Sequence, residues 1–347
     1  MRSAHLLNRT ASLSLFVAAL AVMGCDSKDA ATDGSTAGPS GVPAEVRIGY
    51  FANVTHAQAV LGVASGEFEQ AVAPAKFSSR MFNAGPSLIE ALFAGEIDIG
   101  YVGPGPAVSA HAKTKGQGIR VIAGAAANGV AIVARDGSGI AKLEDLKGKR
   151  IATPQHGNTQ DIAARYYLKH TLKQDNDKNV IAIANAEQAG LMARGEIDAA
   201  WAPEPWAARL VAEAGGKIIA QEKDLWPDKR FTLTLIATTP EFLAKHPDVV
   251  ERVLAAHRGI TARLQKDPTG QLPALADGLF KLTNKKLPEG VLPDAIGRVE
   301  FTDDPLPDTL ATMARWSYEI GFLPQQPKLD GLIDTTILRK LQQGGTP

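Results

Sequence analysis

Five short stretches of the chain gather small polar side chains and contain no lysine or arginine: Phe51–Ala57 (FANVTHA), Phe82–Ser87 (FNAGPS), Val102–Ala107 (VGPGPA), Thr153–Gln160 (TPQHGNTQ) and Trp201–Trp206 (WAPEPW). Apart from Glu204 they offer only neutral hydrogen-bonding groups, glycines, prolines and aromatic walls, the mixture a small-ligand pocket uses. Each stretch precedes a segment whose apolar residues recur at helical spacing, so each opens a helix. A helix start leaves unpaired backbone N–H groups and a partial positive charge of about half a unit. Several such starts aimed at one space hold an anion without cationic side chains.

Individual candidates carry two readings each. Thr55 and His56 either touch a solute or serve as helix cap and surface residue. Pro86 and Ser87 mark another helix start, where the Ser87 hydroxyl reaches an oxyanion or simply caps. Gly103, Pro104 and Gly105 allow close backbone approach to a ligand, or form a tight loop. Asn158 and Thr159 favour ligand contact, because the neutral donors gathered there exceed what capping requires. Trp201 and Trp206 stack on a ligand or pack in the core. Glu204 would repel an anion, so it faces a helix end and solvent, or it receives an amino group from a zwitterionic solute.

Covalent chemistry is not legible. The sequence lacks Gly-x-Ser-x-Gly, His-Glu-x-x-His and Gly-x-x-x-x-Gly-Lys-Ser/Thr. Gly103-Pro104-Gly105 lacks the third glycine of a dinucleotide fingerprint. Seven histidines are scattered without ligand spacing, and Cys25 is the single cysteine. The expectation is therefore a binder rather than an enzyme, with no cofactor and no metal site.

The elements that must position these loops follow a strand-helix rhythm. AEVRIGYFA, KFSSRMF and DIGYVG read as strands, with helices between them. After IRVIAGAAANGVAIVAR the pattern restarts with KRIAT, KNVIAIAN and IDAAWAP. Gly95-Glu96-Ile97-Asp98 returns as Gly195-Glu196-Ile197-Asp198, Tyr101 corresponds to Trp201, and Arg47-Ile48 to Arg150-Ile151. Two similar α/β lobes follow, each a mostly parallel sheet flanked by helices, with a ligand cleft between them. The expected boundaries are 44–127 for lobe I, 128–235 for lobe II, and 236–347 for a return to lobe I with C-terminal helices.

With 347 residues, 45% of them hydrophobic, the chain can bury a core of two lobes. Lys+Arg and Asp+Glu are equal at 37 each, which argues against nucleic acid as a partner. Ser12–Gly24 is an apolar run too short to span a bilayer and reads as part of a signal peptide over 1–24. The polar segment 25–43, rich in Gly and Ser, reads as a flexible tether. Val22-Met23-Gly24-Cys25 resembles a bacterial lipobox, with Cys25 as the lipidated residue, and Asp26 resembles an inner-membrane retention signal. A lipid-anchored monomer in the periplasm is expected.

From Val46 to about Arg263, the segments FNAGPSLIEALFAGEIDIGYVGPGP, LEDLKGKRIATPQHGNTQD and WAPEPW together resemble the periplasmic solute-binding proteins of ABC importers. The similar branch includes the nitrate, aliphatic-sulfonate, taurine and thiamine-pyrimidine-precursor binders. The resemblance implies a type II two-lobed fold that closes on a small solute and docks on ABC permease transmembrane subunits. It also implies that the chain leaves lobe II near FTLTLIATT and that the C-terminal helices pack mainly on lobe I. A sulfonate- or taurine-like solute is expected, with nitrate, bicarbonate or a pyrimidine precursor as the alternative. An enzyme of the same superfamily, a pyrimidine-precursor synthase, uses a cysteine-rich motif that this sequence lacks.

Overall fold

The computed structural model describes residues 41–344. The stretch expected to be a signal peptide, Cys25 and most of the expected tether lie outside them. No helix among the described residues is long and apolar enough to cross a membrane.

Two sheets form the frame. The first is built from β1 (Glu45–Phe51), β2 (Lys76–Phe82), β3 (Ile99–Val102), β4 (Arg120–Asn128), β10 (Thr232–Thr238) and β11 (Val299–Phe301) in the order β2-β1-β3-β10-β4-β11. The second contains β5 (Val130–Ala134), β6 (Ile151–Thr153), β7 (Val180–Ala182), β8 (Ala199–Pro203) and β9 (Lys217–Gln221) in the order β7-β6-β8-β5-β9. Strands β2-β1-β3 of lobe I thus have their counterparts in β7-β6-β8 of lobe II. The interior strands β3 and β8 are buried at every residue, as their continuous apolar runs dictate.

The expectation of mostly parallel sheets holds for strand direction, with β10 and β11 opposed in the first sheet and β5 in the second. Strands that open each lobe pair in parallel, β1 with β2 and β3, β6 with β7 and β8. Strands β5 and β10 arrive from the opposite lobe and pair antiparallel with their neighbours. The chain crosses at Gly129, between β4 and β5, and again between β9 and β10. Because β10 belongs to the first sheet along its whole length, the return precedes Thr232 rather than following residue 235.

Helices α1 (Ala57–Ala64), α2 (Glu67–Val72), α3 (Gly85–Phe93) and α4 (Pro104–Lys113) belong to lobe I. Lobe II carries α5 (Thr159–Tyr166), α6 (Asn185–Ala193) and α7 (Trp206–Ala214). After β10 follow α8 (Pro240–Lys245), α9 (Pro247–Lys266), α10 (Leu272–Thr283), α11 (Val291–Ile296), α12 (Pro307–Glu319) and α13 (Thr336–Gln343). Apolar clusters fill each lobe. In lobe I, Ile48, Tyr101, Ile236 and Val253 lie in one cluster and Leu88, Val102 and Leu235 in another.

The C-terminal helices do not all sit on lobe I. Leu310 and Ala314 of α12 join the lobe I cluster, whereas Met313 and Trp316 join a lobe II cluster with Trp201, Trp226 and Phe231. Trp316 stacks on Tyr166 with ring centroids 4.5 Å apart and meets Trp226 at 4.3 Å. Spacing alone explains it: residues three apart on a helix lie on neighbouring faces, and here each face finds a different lobe.

The repeated Gly-Glu-Ile-Asp has a structural cause. Asp98 Oδ2 accepts from Arg47 N and Nε at 2.8 and 2.9 Å, and Arg47 also donates to the Gly95 carbonyl. Asp198 Oδ2 accepts from Arg150 N and Nε, both at 3.0 Å, and Arg150 donates to the Gly195 carbonyl at 2.6 Å. Gly95 and Gly195 end their helices with φ of 67° and 72°, a conformation glycine adopts without cost. The clamps tie the end of α3 to β1 and the end of α6 to the residue that leads into β6.

Candidate functional site

Four helix starts converge between the lobes. Ala84 and Gly85 begin α3, Gly103 precedes α4, Asn158 and Thr159 begin α5, and Asn185 begins α6; all of them line one cavity of about 30 Å³. The flanking residues Ala84 and Ala184 provide no side-chain cap, so the first-turn N–H groups of α3 and α6 have no local side-chain acceptor, whereas α4 adds no free N–H because Pro104 and Pro106 have none and Gly105 donates across to Thr159. Asn158 caps α5 in the ordinary way, its Oδ1 accepting from Asp161 N at 2.8 Å. Its Nδ2 donates to Gln160 Oε1 at 2.8 Å.

The wall is neutral throughout. Phe51, Asn53, Thr55, His56, Asn83, Gln160, Leu233 and Thr234 complete it with prolines 106, 154 and 203, and no Lys, Arg, Asp or Glu takes part. Burial pushes His56 down to about 3, so its imidazole stays neutral. Nδ1 accepts from Phe51 N–H at 3.4 Å, which leaves Nε2–H as a donor. Thr234 is 1% exposed, and its Oγ1 has no hydrogen-bond partner among the described residues. A buried orphan hydroxyl costs roughly 1–3 kcal/mol unless something satisfies it. Thr234 forms part of the cavity wall.

The lobes are shut over this space. Gly105 N–H donates to Thr159 Oγ1 at 3.3 Å, Val54 N–H donates to the Glu204 carbonyl at 3.0 Å, and Trp206 Nε1 donates to Asn53 Oδ1 at 2.6 Å. A Cβ on Gly103 would sit 2.3 Å from Thr159 Oγ1, and one on Gly105 would sit 2.7 Å from Ile162 Cδ1. Both glycines therefore admit the opposite lobe, and Gly103 also borders the cavity.

Of the residues expected from sequence, Thr55, His56, Gly103, Asn158 and Thr159 line the cavity. Six others do not. Pro104 is the first residue of α4, and Pro86 lies in a groove behind α3. The Ser87 hydroxyl donates to the Ala84 carbonyl at 2.9 Å and is spent locally. Trp201 is fully buried, its Nε1 donating to Glu222 at 2.6 Å, so it is a core residue. Trp206 borders an adjoining, outer space.

Glu204 requires the largest correction. Its carboxylate is fully buried, paired with Arg298 Nε at 2.5 Å, and accepts from Ala208 N at 3.2 Å. It faces a helix end, the first turn of α7, as one of the two readings expected, but it is not in solvent and does not wait for an amino group. Sequence reasoning missed Asn53, Asn83, Asn185 and Thr234 as named contacts. Asn53 and Asn83 lay inside quoted loops, but Thr234 sits in a crossing strand whose placement only the tertiary pairing reveals. Among the described residues no group of three or more His, Cys, Asp or Glu is gathered to hold a metal.

Comparison with known proteins agrees with this geometry. Residues 40–275 match the sequence profile of the NMT1-like family. A binding protein of Brucella abortus is 30% identical over 214 residues, 60% of this chain and 64% of that protein's length. The chain thus spans less than two thirds of that relative. The taurine-binding periplasmic protein of Escherichia coli is 31% identical over 230 residues, 59% of this chain and 68% of that protein. Among solved structures, the alkanesulfonate-binding protein from Xanthomonas axonopodis bound to MOPS superposes with a TM-score of 0.71 at 22% identity, covering 84% of this chain and 98% of that one. The fold is the two-lobed type II periplasmic-binding-protein arrangement, two sheets flanked by helices.

Proposed function

Because this chain belongs to the NMT1-like family, we propose that it is a solute-binding protein that captures a small sulfonate-like oxyanion outside the cytoplasm and delivers it to the transmembrane subunits of an ABC importer. One observation carries the reading. Four helix starts meet at a neutral cavity, two of them (α3 and α6) with N–H groups that no side chain caps, and the Thr234 hydroxyl there has no partner among the described residues. Backbone N–H groups and hydroxyls arranged in this way favour a compact anion. The site residues proposed are Thr55, His56, Gly103, Asn158 and Thr159, joined by Asn53, Asn83, Asn185 and Thr234.

With Glu204 paired to Arg298, an ammonium group on the solute would meet only neutral amide, carbonyl and hydroxyl oxygens. A simple sulfonate therefore fits this wall better than taurine. Nitrate or bicarbonate is the second reading, favoured by a cavity of about 30 Å³, only two to three times what one water needs (about 10–15 Å³). The absence of recognisable catalytic motifs supports binding rather than turnover. Anchoring through Cys25, as a monomer, completes the proposal; loss of palmitate labelling in Cys25→Ser would test the anchor.

The decisive experiment is calorimetric titration of the chain with methanesulfonate, taurine, nitrate, bicarbonate and an aminopyrimidine. Saturable binding of methanesulfonate, with its recovery unchanged, is expected. Binding of the pyrimidine alone would overturn the oxyanion reading.

A further inference from the structure

A second pocket lies away from the inter-lobe cavity, where the C-terminal end of α4 meets the loop that follows α12. It holds about 650 Å³, within the range of roughly 300–1,000 Å³ that small-molecule sites occupy. Leu323, Pro324 and Pro327 supply apolar wall, and Leu323 is anchored in the lobe I cluster that also contains Val108 of α4. No lining residue is shared with the inner cavity.

The charges in the wall are unequal. Lys113, Lys115 and Lys328 stand against the single carboxylate of Asp330, three ammonium groups to one carboxylate. Among the described residues the lysines paired with a carboxylate are Lys76, Lys217, Lys245, Lys281 and Lys340, so these three are uncommitted. A lysine ammonium is a compact point charge that suits carboxylate and phosphate oxygens alike.

Surface lysines alone attract any anion. His111 sets this pocket apart: it belongs to the lining yet is only 2% exposed, and its Nδ1 has no hydrogen-bond partner among the described residues. Buried polar side-chain atoms ordinarily have one. A Cβ on Gly116 would stand 3.4 Å from the ring Cε1 and 3.6 Å from Nε2, so the glycine leaves that edge of the imidazole bare. Burial, then the nearby Arg120, pushes His111 below the usual histidine range, against the pull of the Lys328 and Asp330 carbonyls. An anion among the lysines would shift that balance toward the protonated ring.

We propose that this pocket is a second ligand site, separate from the solute cavity, for an organic anion that carries two or more carboxylate or phosphate charges on an apolar or hydrogen-bonding body. The lysines hold the charges, Leu323 and the prolines hold the body, and His111 forms the floor. The site stands whichever solute the inner cavity takes.

Calorimetric titration with citrate, phenyl phosphate and inorganic phosphate at about 0.15 M salt tests it. Citrate marks the carboxylate source and phenyl phosphate the phosphate source; at least one should saturate a single site per chain, well ahead of inorganic phosphate, which has no body for the wall. Lys115→Glu with Lys328→Glu should weaken that ligand by about tenfold or more, two charge reversals beside a multivalent anion, and leave methanesulfonate binding unchanged. Lys147→Glu with Lys178→Glu, an equal charge change on exposed lysines of lobe II, should leave it bound. The His111 imidazole resonance, identified by its loss in His111→Phe, should move as the ligand is added. Binding no tighter than that of inorganic phosphate, equal weakening by the lobe II pair, or an unmoved His111 resonance would overturn the site. Should His111→Phe fail to fold, the two lysine pairs decide.

Discussion

Arg150 and Asp198 are joined by backbone and side chain at once: the Arg150 N–H and guanidinium both donate to the one carboxylate, and the Asp198 N–H donates back to the Arg150 carbonyl at 2.9 Å. Asp198→Ala should therefore lower the stability of lobe II by about 2–3 kcal/mol, the usual size for hydrogen bonds to a charged group. Arg150 holds the Asp198 pKa well below the usual carboxylate range. The stabilisation is present above the ordinary aspartate value and fades as pH falls below it. Urea unfolding of the variant at neutral pH is the check, and an unchanged midpoint would contradict the role given to the clamp.

Gly103 is the point of tightest approach between lobes. Gly103→Ala leaves a backbone with φ of −74° undisturbed, yet its methyl group collides with Thr159 Oγ1. The variant should fold normally and remain ajar, with methanesulfonate affinity reduced at least tenfold. Small-angle scattering should give a larger radius of gyration than the unaltered protein with ligand, and an identical radius would refute the steric argument.

Thr234→Val separates stability from binding. Replacing an orphan buried hydroxyl by a methyl removes an unsatisfied group, so the ligand-free protein should gain up to about 1 kcal/mol. The ligand-induced rise in Tm should shrink. A variant less stable without ligand, or one with a full ligand shift, would remove Thr234 from the site.

Stability should peak between about pH 6.5 and 7. Burial pushes Glu222 up to about 7 despite the Trp201 and Trp226 N–H groups. The folded state then keeps a proton that the unfolded state loses between 4.5 and about 7, so this contribution falls as pH rises through that window. Burial also holds His56 and His257 neutral down to about 3 and about 4, while their unfolded counterparts take up protons below 6.5. Their contribution falls as pH drops. On the acid side the buried histidines, joined by the lowered His111, work against Glu222 and the raised Glu204, and between 6.5 and 7 Glu222 carries the fall. Unfolding midpoints measured from pH 5 to 8 should show the maximum; Glu222→Gln should flatten its alkaline flank.

The frame was legible because its signals are local. Gly95 and Gly195 stop helices, the apolar runs of β3 and β8 demand burial, and the repeated Arg and Asp keep company within each lobe. The cavity was half legible for the same reason: Asn158 and Thr159 announce a helix start by themselves. What escaped depends on distant partners. Glu204 is neutralised by Arg298, 94 residues away, and Thr234 reaches the cavity only because β10 returns between β3 and β4. Nothing in WAPEPW or TLTLIAT hints at either.

Helix α12, with Leu310 and Ala314 sealed into one half and Met313 and Trp316 into the other, cannot be a bystander when the jaws part. Peeling it from either side would wet two apolar side chains, on the order of 3 kcal/mol for a full exposure. An empty protein would thus lean toward being shut, and how tightly it grips its cargo would be set in part by a helix that never touches the cargo.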